Sequence, residues 1–334
     1  MMKIAINGFG RIGRTFFRQA FGQKNIDIVA INDLGSAGNL AYLLQYDSVY
    51  GRYSKPVQLA GEDLTVDGKK IYFLQIKDPL ELPWKKLDID IVIESTGVFA
   101  TSEKSKAHIN AGARRVVITA PAEDDETITV TPHVGEKKIK DVRITSNASC
   151  TTNATTPVVT ILMQNPGIEK AILSTVHGYT ATQAIVDGPD KKDWTRGRAA
   201  AVNIVPSTTG AAIATEKAVP DIKGKFDGIA IRVPVITGSV IDFTFIASRN
   251  TSRDEINDIF RQAAQDDFWK GIFSVSEQPL VSTDIIGNAH GSIADLHFTK
   301  VVDGNLVKVL AWYDNEWGYC SMLVKHVLSL KPFL

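Results

Sequence analysis

The segment Gly8-Phe9-Gly10-Arg11-Ile12-Gly13 constrains the fold more than any other in the chain. It follows a short apolar run, Lys3-Ile4-Ala5-Ile6, and opens a helical pattern from about Arg11 to Phe21, with Ile12, Phe16, Phe17 and Ala20 on one side. A second apolar run, Ile26 to Ile31, ends at Asn32-Asp33. Strand, turn, helix and strand in about 30 residues make a βαβ unit. Such crossovers are right-handed and set the two strands parallel. Each glycine meets a separate demand. Gly8 makes the tight turn, Gly10 lets the backbone approach a pyrophosphate, and Gly13 lets helix and sheet pack closely. The helix N-terminus then offers free N–H groups to the anion. Asp33 lies 20 residues after Gly13. An acid there accepts hydrogen bonds from the adenosine ribose and repels a 2′-phosphate, which favours NAD over NADP.

The alternation continues. Residues 57–74 form short runs separated by Gly61-Glu62 and Asp67-Gly68, a hairpin pattern. Ile89 to Glu94, Val116 to Thr119 and Val142 to Thr145 read as strands, and Ser102 to Ala111 as a helix stopped by Gly112. The pattern predicts an α/β fold, a Rossmann domain with a parallel sheet. Beyond residue 150 the character changes. A helix is expected from Cys150 to Met163, with Pro157 kinking it or marking a later start. A long polar loop covers 178–210. Four β-rich runs follow (228–235, 239–247, 294–302 and 306–313), interrupted by one helix at about Ser252–Ala264. This predicts an α+β second domain with a mostly antiparallel sheet. A last helix spans about Glu316–Leu330.

Composition narrows the function classes. The 334 residues carry 37 basic and 37 acidic side chains, with 44% hydrophobic and 22% charged. Balanced charge argues against a dedicated nucleic-acid or membrane-surface binder. Two cysteines, Cys150 and Cys320, make no disulfide framework, and no Cys/His group has zinc-ligand spacing, so no metal is expected. No stretch is long enough for a membrane span and none reads as a secretory signal. The expected location is cytoplasmic.

Cys150 lies in Ser146-Asn147-Ala148-Ser149-Cys150-Thr151-Thr152-Asn153, after a predicted strand and where a helix begins. A helix N-terminus stabilises a thiolate, and a neighbouring histidine lowers the thiol pKa further. Of six histidines, His177 is the best partner, because it ends the apolar strand Ala171 to Val176 and precedes the long loop. The other histidines are read as surface or packing residues.

Together these blocks resemble one family, phosphorylating glyceraldehyde-3-phosphate dehydrogenase. The resemblance extends to Thr175-Val176-His177-Gly178-Tyr179-Thr180 and to Trp312-Tyr313-Asp314-Asn315-Glu316-Trp317-Gly318-Tyr319. It also covers Arg198-Ala199-Ala200-Ala201 and the run from Pro206 to Ala212. It implies NAD-dependent oxidative phosphorylation of glyceraldehyde 3-phosphate. Cys150 would form a hemithioacetal and then a thioester, with His177 as general base. It implies that Thr180, Thr182 and Arg232 hold the substrate phosphate. Inorganic phosphate would meet Ser149, Thr151, Thr209 and Gly210, with Arg196 near both. Arg11, Ile12, Asn32, Lys77, Thr96 and Thr119 would line the cofactor site with Asp33, and Asn315 would meet the nicotinamide carboxamide. The implied NAD-binding domain is 1–149, completed by the helix at 316–334, and the implied catalytic domain is 150–315. The family also implies a homotetramer in which the loop 178–203 packs against a neighbouring subunit. Departures are Ala154, where a second cysteine is common, Thr131-Pro132-His133-Val134, and Val233 to Gly238 after the phosphate-binding arginine. An erythrose-4-phosphate dehydrogenase, or a non-catalytic NAD- or RNA-binding role, is the alternative.

Overall fold

The computed structural model describes residues 1–191 and 193–334. The chain divides into two compact units. One comprises Met1–Thr131, Gly135–Ala148 and Leu323–Leu334, the other Pro132–Val134 and Ser149–Met322.

Among the described residues, nine strands form the sheet of the first unit: β1 (Met2–Asn7), β2 (Ile26–Asn32), β3 (Val57–Ala60), β4 (Asp63–Val66), β5 (Lys69–Leu74), β6 (Ile91–Glu94), β7 (Arg115–Ile118), β8 (Ile128–Thr129) and β9 (Ile144–Ser146). Their order is β3-β4-β5-β2-β1-β6-β7-β9-β8. Pairings from β5 across to β8 are parallel, and β3–β4–β5 is an antiparallel edge. The two tight turns of that edge use left-handed backbone at Gly61 (φ +67°), Asp67 (φ +51°) and Gly68 (φ +77°). The chain builds outward from β1 to β2, then returns to place β6 on the other side of β1. Ligands of open parallel sheets gather at the strand carboxyl ends beside such a reversal.

β6 and β7 are buried at every residue, as parallel strands covered on both faces must be. Helix α1 (Arg11–Ala20) buries Phe16, Phe17 and Ala20 of the expected face, whereas Ile12 at its first turn is half-buried. The helices α2 (Ala37–Gln45), α3 (Trp84–Leu87) and α4 (Ser102–Asn110) follow. The Thr101 side chain caps α4 by accepting the Lys104 N–H, and Gly112 turns the chain away at φ +110°.

The second unit holds β10 (Ile168–Gly178), β11 (Val205–Thr208), β12 (Phe226–Val233), β13 (Ser239–Ala247), β14 (Phe273–Ser276), β15 (Ser292–Val302) and β16 (Leu306–Tyr313). Their order is β11-β12-β10-β13-β16-β15-β14. Most neighbours are antiparallel, while β10–β12 and β14–β15 run parallel. Burial alternates strictly along β13, so one face of the sheet carries the core. Helices α5 (Cys150–Gln164), α6 (Ala211–Ala218) and α7 (Arg253–Gln265) belong to this unit. Val158, Leu162, Phe243, Phe245 and Phe260 share one hydrophobic cluster. Each such buried side chain contributes about 1.5–3 kcal/mol. The last helix, α8 (Trp317–Ser329), contributes residues to both units.

Three expectations are corrected. Pro157 neither delays nor ends α5, which runs unbroken from Cys150 to Gln164. The Ser149 side chain caps the start, and the proline removes one interior N–H that surrounding packing outweighs. Helix α6 also interrupts the β-rich half. It is a short alanine-rich segment whose apolar period is weak, so pattern alone does not mark it. β11 and β14, four residues each, escape the periodicity reading for the same reason.

Candidate active site

Helix α5 and strand β10 deliver the central pair. Ser149 Oγ accepts the Thr152 N–H at 3.1 Å, which makes Cys150 the first helical residue. The helix dipole therefore bears directly on its sulfur. Alternation along β10 sets Thr175 and His177 on one face. Cys150 Sγ lies 3.3 Å from His177 Nε2. The parallel register of β10 and β12 sets His177 opposite Arg232. Arg232 Nη1 consequently sits 2.7 Å from His177 Nδ1, and the Gly178 carbonyl oxygen sits 2.6 Å from the same nitrogen. Nδ1 serves one of them at a time. Donating to Gly178 leaves a lone pair at Nε2 facing sulfur, and accepting from Arg232 puts the ring proton there.

Burial dominates the electrostatics. It pushes the Cys150 thiol up, against the Arg232 charge and the Thr151 amide. It also lowers His177, with Arg232 adding to the effect, to about 3. A lowered thiol is the expectation from helix position. Here desolvation of the half-buried sulfur opposes the guanidinium charge and the nearby amides, and raises the thiol.

Tyr313 organises this pair, a role the sequence reading does not assign. Its ring stands edge-on to His177, with centroids 5.9 Å apart. Its hydroxyl meets Thr151 Oγ1 at 2.9 Å and Thr175 Oγ1 at 2.8 Å. One buried phenol thus ties the first turn of α5 to β10. The Thr151 hydroxyl makes that contact and also bears on the Cys150 thiol, while the Thr151 N–H stands at the helix start.

Other residues named from sequence fall as follows. Thr180 and Thr182 bring their hydroxyls within 2.9 Å just after β10. Arg196 donates from Nε to Ser207 Oγ at 2.9 Å and also faces Asp193 at 3.3 Å. Thr209 Oγ1 accepts the Ala211 N–H at 3.2 Å, and Gly210 caps the start of α6. Ser149 and Gly210 thus begin two helices, positions suited to anions. Asn315 Oδ1 accepts from Thr237 Oγ1 at 3.2 Å, Gly238 N at 3.1 Å and Ser239 Oγ at 2.9 Å. With that oxygen engaged, the amide nitrogen is the group left to address a ligand carbonyl. Thr237 and Gly238 belong to the stretch that departs from the family sequence, and here they orient Asn315.

Apart from Asn315, the residues expected to meet the cofactor lie in the first unit. Gly8 has φ +93°, and a Cβ there would lie 2.7 Å from Ser95 C and Thr96 N. A Cβ on Gly13 would collide with the Gly8 carbonyl oxygen. A Cβ on Gly10 would meet no heavy atom within 4 Å, so backbone is bare toward open space there. A cleft of about 430 Å³ is lined by Gly8, Gly10, Asn32, Asp33, Lys77 and Thr96, among others. Asp33 accepts the Phe9 N–H at 2.6 Å and the Gly35 N–H at 2.8 Å, which fixes its carboxylate at the cleft. Arg11 gives its guanidinium to Asp47 at 2.6 Å, so Arg11 and Ile12 present the backbone of the helix start. Thr96 turns its hydroxyl inward to Glu94 Oε1 at 2.5 Å. Thr119, just past β7, donates its N–H to the Glu94 carbonyl at 2.9 Å. The open backbone at Gly10, the helix start and the anchored acid fit a dinucleotide. Among the described residues no His, Cys, Asp or Glu cluster is arranged to hold a metal ion, and no helix is long and apolar enough to cross a membrane.

A dinucleotide cleft in one unit and a thiol–imidazole pair in the other define the class: an NAD-dependent oxidoreductase acting on an aldehyde. Comparison with known proteins specifies it further. Residues 2–102 match the model of the glyceraldehyde 3-phosphate dehydrogenase NAD-binding domain, and residues 149–315 match that of its C-terminal domain. The chain is 46% identical over 326 residues to glyceraldehyde-3-phosphate dehydrogenase 2 of Streptomyces avermitilis, covering 97% of this chain and 96% of that one. It is 46% identical over 334 residues to glyceraldehyde-3-phosphate dehydrogenase 2 of Bacillus subtilis, covering 98% and 97%. It is 43% identical over 333 residues to glyceraldehyde-3-phosphate dehydrogenase B of Aspergillus oryzae, covering 99% and 98%. The chain belongs to the glyceraldehyde-3-phosphate dehydrogenase family.

Proposed function

We propose that Cys150 and His177 perform the NAD-dependent oxidative phosphorylation of glyceraldehyde 3-phosphate to 1,3-bisphosphoglycerate. The observation that carries this is the 3.3 Å separation of Cys150 Sγ from His177 Nε2 at the start of α5. With Nδ1 donating to Gly178, His177 Nε2 accepts the thiol proton as sulfur attacks the aldehyde carbon. It returns that proton to the forming oxyanion, which gives a neutral hemithioacetal. It then takes the hydroxyl proton as the thioester forms. NAD, when bound, supplies the acceptor for the substrate's two electrons. Gly8, Gly10, Arg11, Ile12, Gly13, Asn32, Asp33, Lys77, Thr96 and Thr119 hold the cofactor, and Asn315 offers its amide nitrogen to the carboxamide.

Inorganic phosphate then attacks the thioester carbon and releases the Cys150 thiolate. The backbone N–H groups at Ser149–Thr151 and Thr209–Gly210, with Arg196, hold that anion. Thr180, Thr182 and Arg232 hold the phosphate of the substrate. Moving Arg232 onto the substrate takes its charge off His177 Nδ1, which makes the imidazole a better base where the aldehyde is bound.

The chain works as a cytoplasmic homotetramer in this reading, with 1–149 and the C-terminal helix as the cofactor domain and 150–315 as the catalytic one. NADH formation is the test. Activity should require glyceraldehyde 3-phosphate, NAD and inorganic phosphate together. It should be far weaker with NADP or erythrose 4-phosphate. Equal turnover with erythrose 4-phosphate, or turnover indifferent to phosphate, contradicts the reading.

A further inference from the structure

Behind the wall of the cofactor cleft lie Glu94, His108 and Trp84, buried groups that the catalytic reading does not use. Asn7, Asn32 and Glu94 close three neighbouring strands. The register pairs Asn7 with Asn32 on one side and with Glu94 on the other. Paired residues of adjacent strands point the same way, so these side chains form a row across β2, β1 and β6. Asn32 Nδ2 donates to Asn7 Oδ1 at 2.7 Å, and Asn7 Nδ2 donates to Glu94 Oε2 at 2.6 Å.

Helix α4 covers the row with His108, which is fully buried. Trp84 Nε1 lies 3.1 Å from His108 Nδ1. An indole N–H only donates, so Nδ1 accepts and the ring proton sits on Nε2. Nε2 faces Glu94 Oε2 at 2.9 Å. The other carboxylate oxygen accepts the Thr96 N–H at 2.9 Å and its hydroxyl at 2.5 Å. Glu94 is thus a buried acceptor with donors on both oxygens, which is the condition for keeping a carboxylate out of water.

We propose that His108 and Glu94 are positioning residues for NAD: with Trp84 fixing the ring, they lock Asn7, Asn32 and Thr96 into the wall of the cofactor cleft. Asn32 and Thr96 line that cleft, whereas Trp84 and His108 do not. Removing the imidazole leaves a buried carboxylate oxygen short of a donor. Asn7 and Thr96 must then shift to compensate, and the cleft wall shifts with them. The proposal rests on the reading of this cleft as the NAD site.

The experiment measures NAD binding by calorimetry on the unsubstituted full-length protein, His108→Leu, His108→Gln and Trp84→Phe. Thermal melts and kinetics accompany it. His108→Leu should weaken NAD binding on the order of tenfold, the scale of a lost hydrogen bond to a buried charge. Its KM for NAD should rise in step, while kcat and the KM for glyceraldehyde 3-phosphate change far less. His108→Gln, which restores an N–H donor, should recover most of the affinity. Trp84→Phe keeps the packing, frees the tautomer and should weaken NAD to a lesser degree. It carries the test alone if His108→Leu does not fold. Unchanged NAD affinity in folded His108→Leu or Trp84→Phe, or losses shared equally by both KM values and kcat, would overturn the proposal. Absence of NAD binding in the unsubstituted protein would instead overturn the reading of the cleft.

Discussion

Cys150 and His177 stand 27 positions apart in sequence, and the folded second unit brings Sγ within 3.3 Å of Nε2. Sulfur thereby gains a proton acceptor that its own helix cannot provide, since the N-terminal turn offers donors alone. His177→Asn should lower kcat roughly 10²–10⁴-fold, the range of a lost general acid–base group. Calorimetric affinity for NAD should be preserved. Loss of NAD affinity equal to the loss of rate would point to a folding defect instead.

Arg232 acts on both members of the pair, with opposite consequences for their charged forms. Its charge lowers the Cys150 thiol and also lowers His177. Arg232→Leu should therefore move both titrations upward. Alkylation of Cys150 by iodoacetamide at neutral pH should slow, because less thiolate is present. The His177 ring proton resonances should titrate at higher pH than in the unsubstituted protein. Either group moving downward contradicts this assignment.

His326 provides a pH signature unrelated to catalysis. The ring is fully buried, meeting Thr145 Oγ1 and Asn147 Oδ1 at 3.1 Å each, and burial lowers its pKa to about 3. Its unfolded value is about 6.5, so between these limits the unfolded chain binds the extra proton. The neutral buried ring is compatible with folding above that window, and stability falls as pH drops through it. Lowering pH from 7 to 5 should cost about 2 kcal/mol through this residue. Urea denaturation at the two pH values measures it, and His326→Phe should flatten the dependence. An unchanged slope in the variant would exclude His326 as the source.

Gly10 and Gly13 separate binding from folding. Gly13→Ala drives a methyl into the Gly8 carbonyl and should destabilise by about 1–3 kcal/mol, seen as a lower Tm. Gly10→Ala meets no neighbouring atom, so its Tm should stay close to that of the unsubstituted protein. Its methyl occupies the approach to the pyrophosphate, so NAD affinity should fall. A Gly10→Ala variant with normal NAD binding would move the pyrophosphate elsewhere.

The glycine turn, its acid and the helix-borne cysteine are legible because each depends on neighbours within a few dozen residues. Strand alternation likewise exposes β10, β13 and β16. His177 is legible as a strand end, but its distance from Cys150 is not, because parallel pairing of β10 with β12 and packing of α5 set it. Tyr313 is hidden for a similar reason. Its phenol joins Thr151 and Thr175, 162 and 138 positions away. His108 reads as an ordinary helix residue until β1, β2 and β6 align beneath it. The desolvation acting on Cys150 is hidden too, since local sequence shows the helix N-terminus but not the burial that opposes it.

The most direct test of the covalent mechanism is mass spectrometry of the intact protein, quenched after mixing with glyceraldehyde 3-phosphate and NAD in the absence of inorganic phosphate. A 3-phosphoglyceroyl adduct should appear, map to Cys150, disappear when phosphate is added, and be missing from Cys150→Ser. An adduct on another residue, or NADH turnover undiminished in Cys150→Ser, would contradict the account.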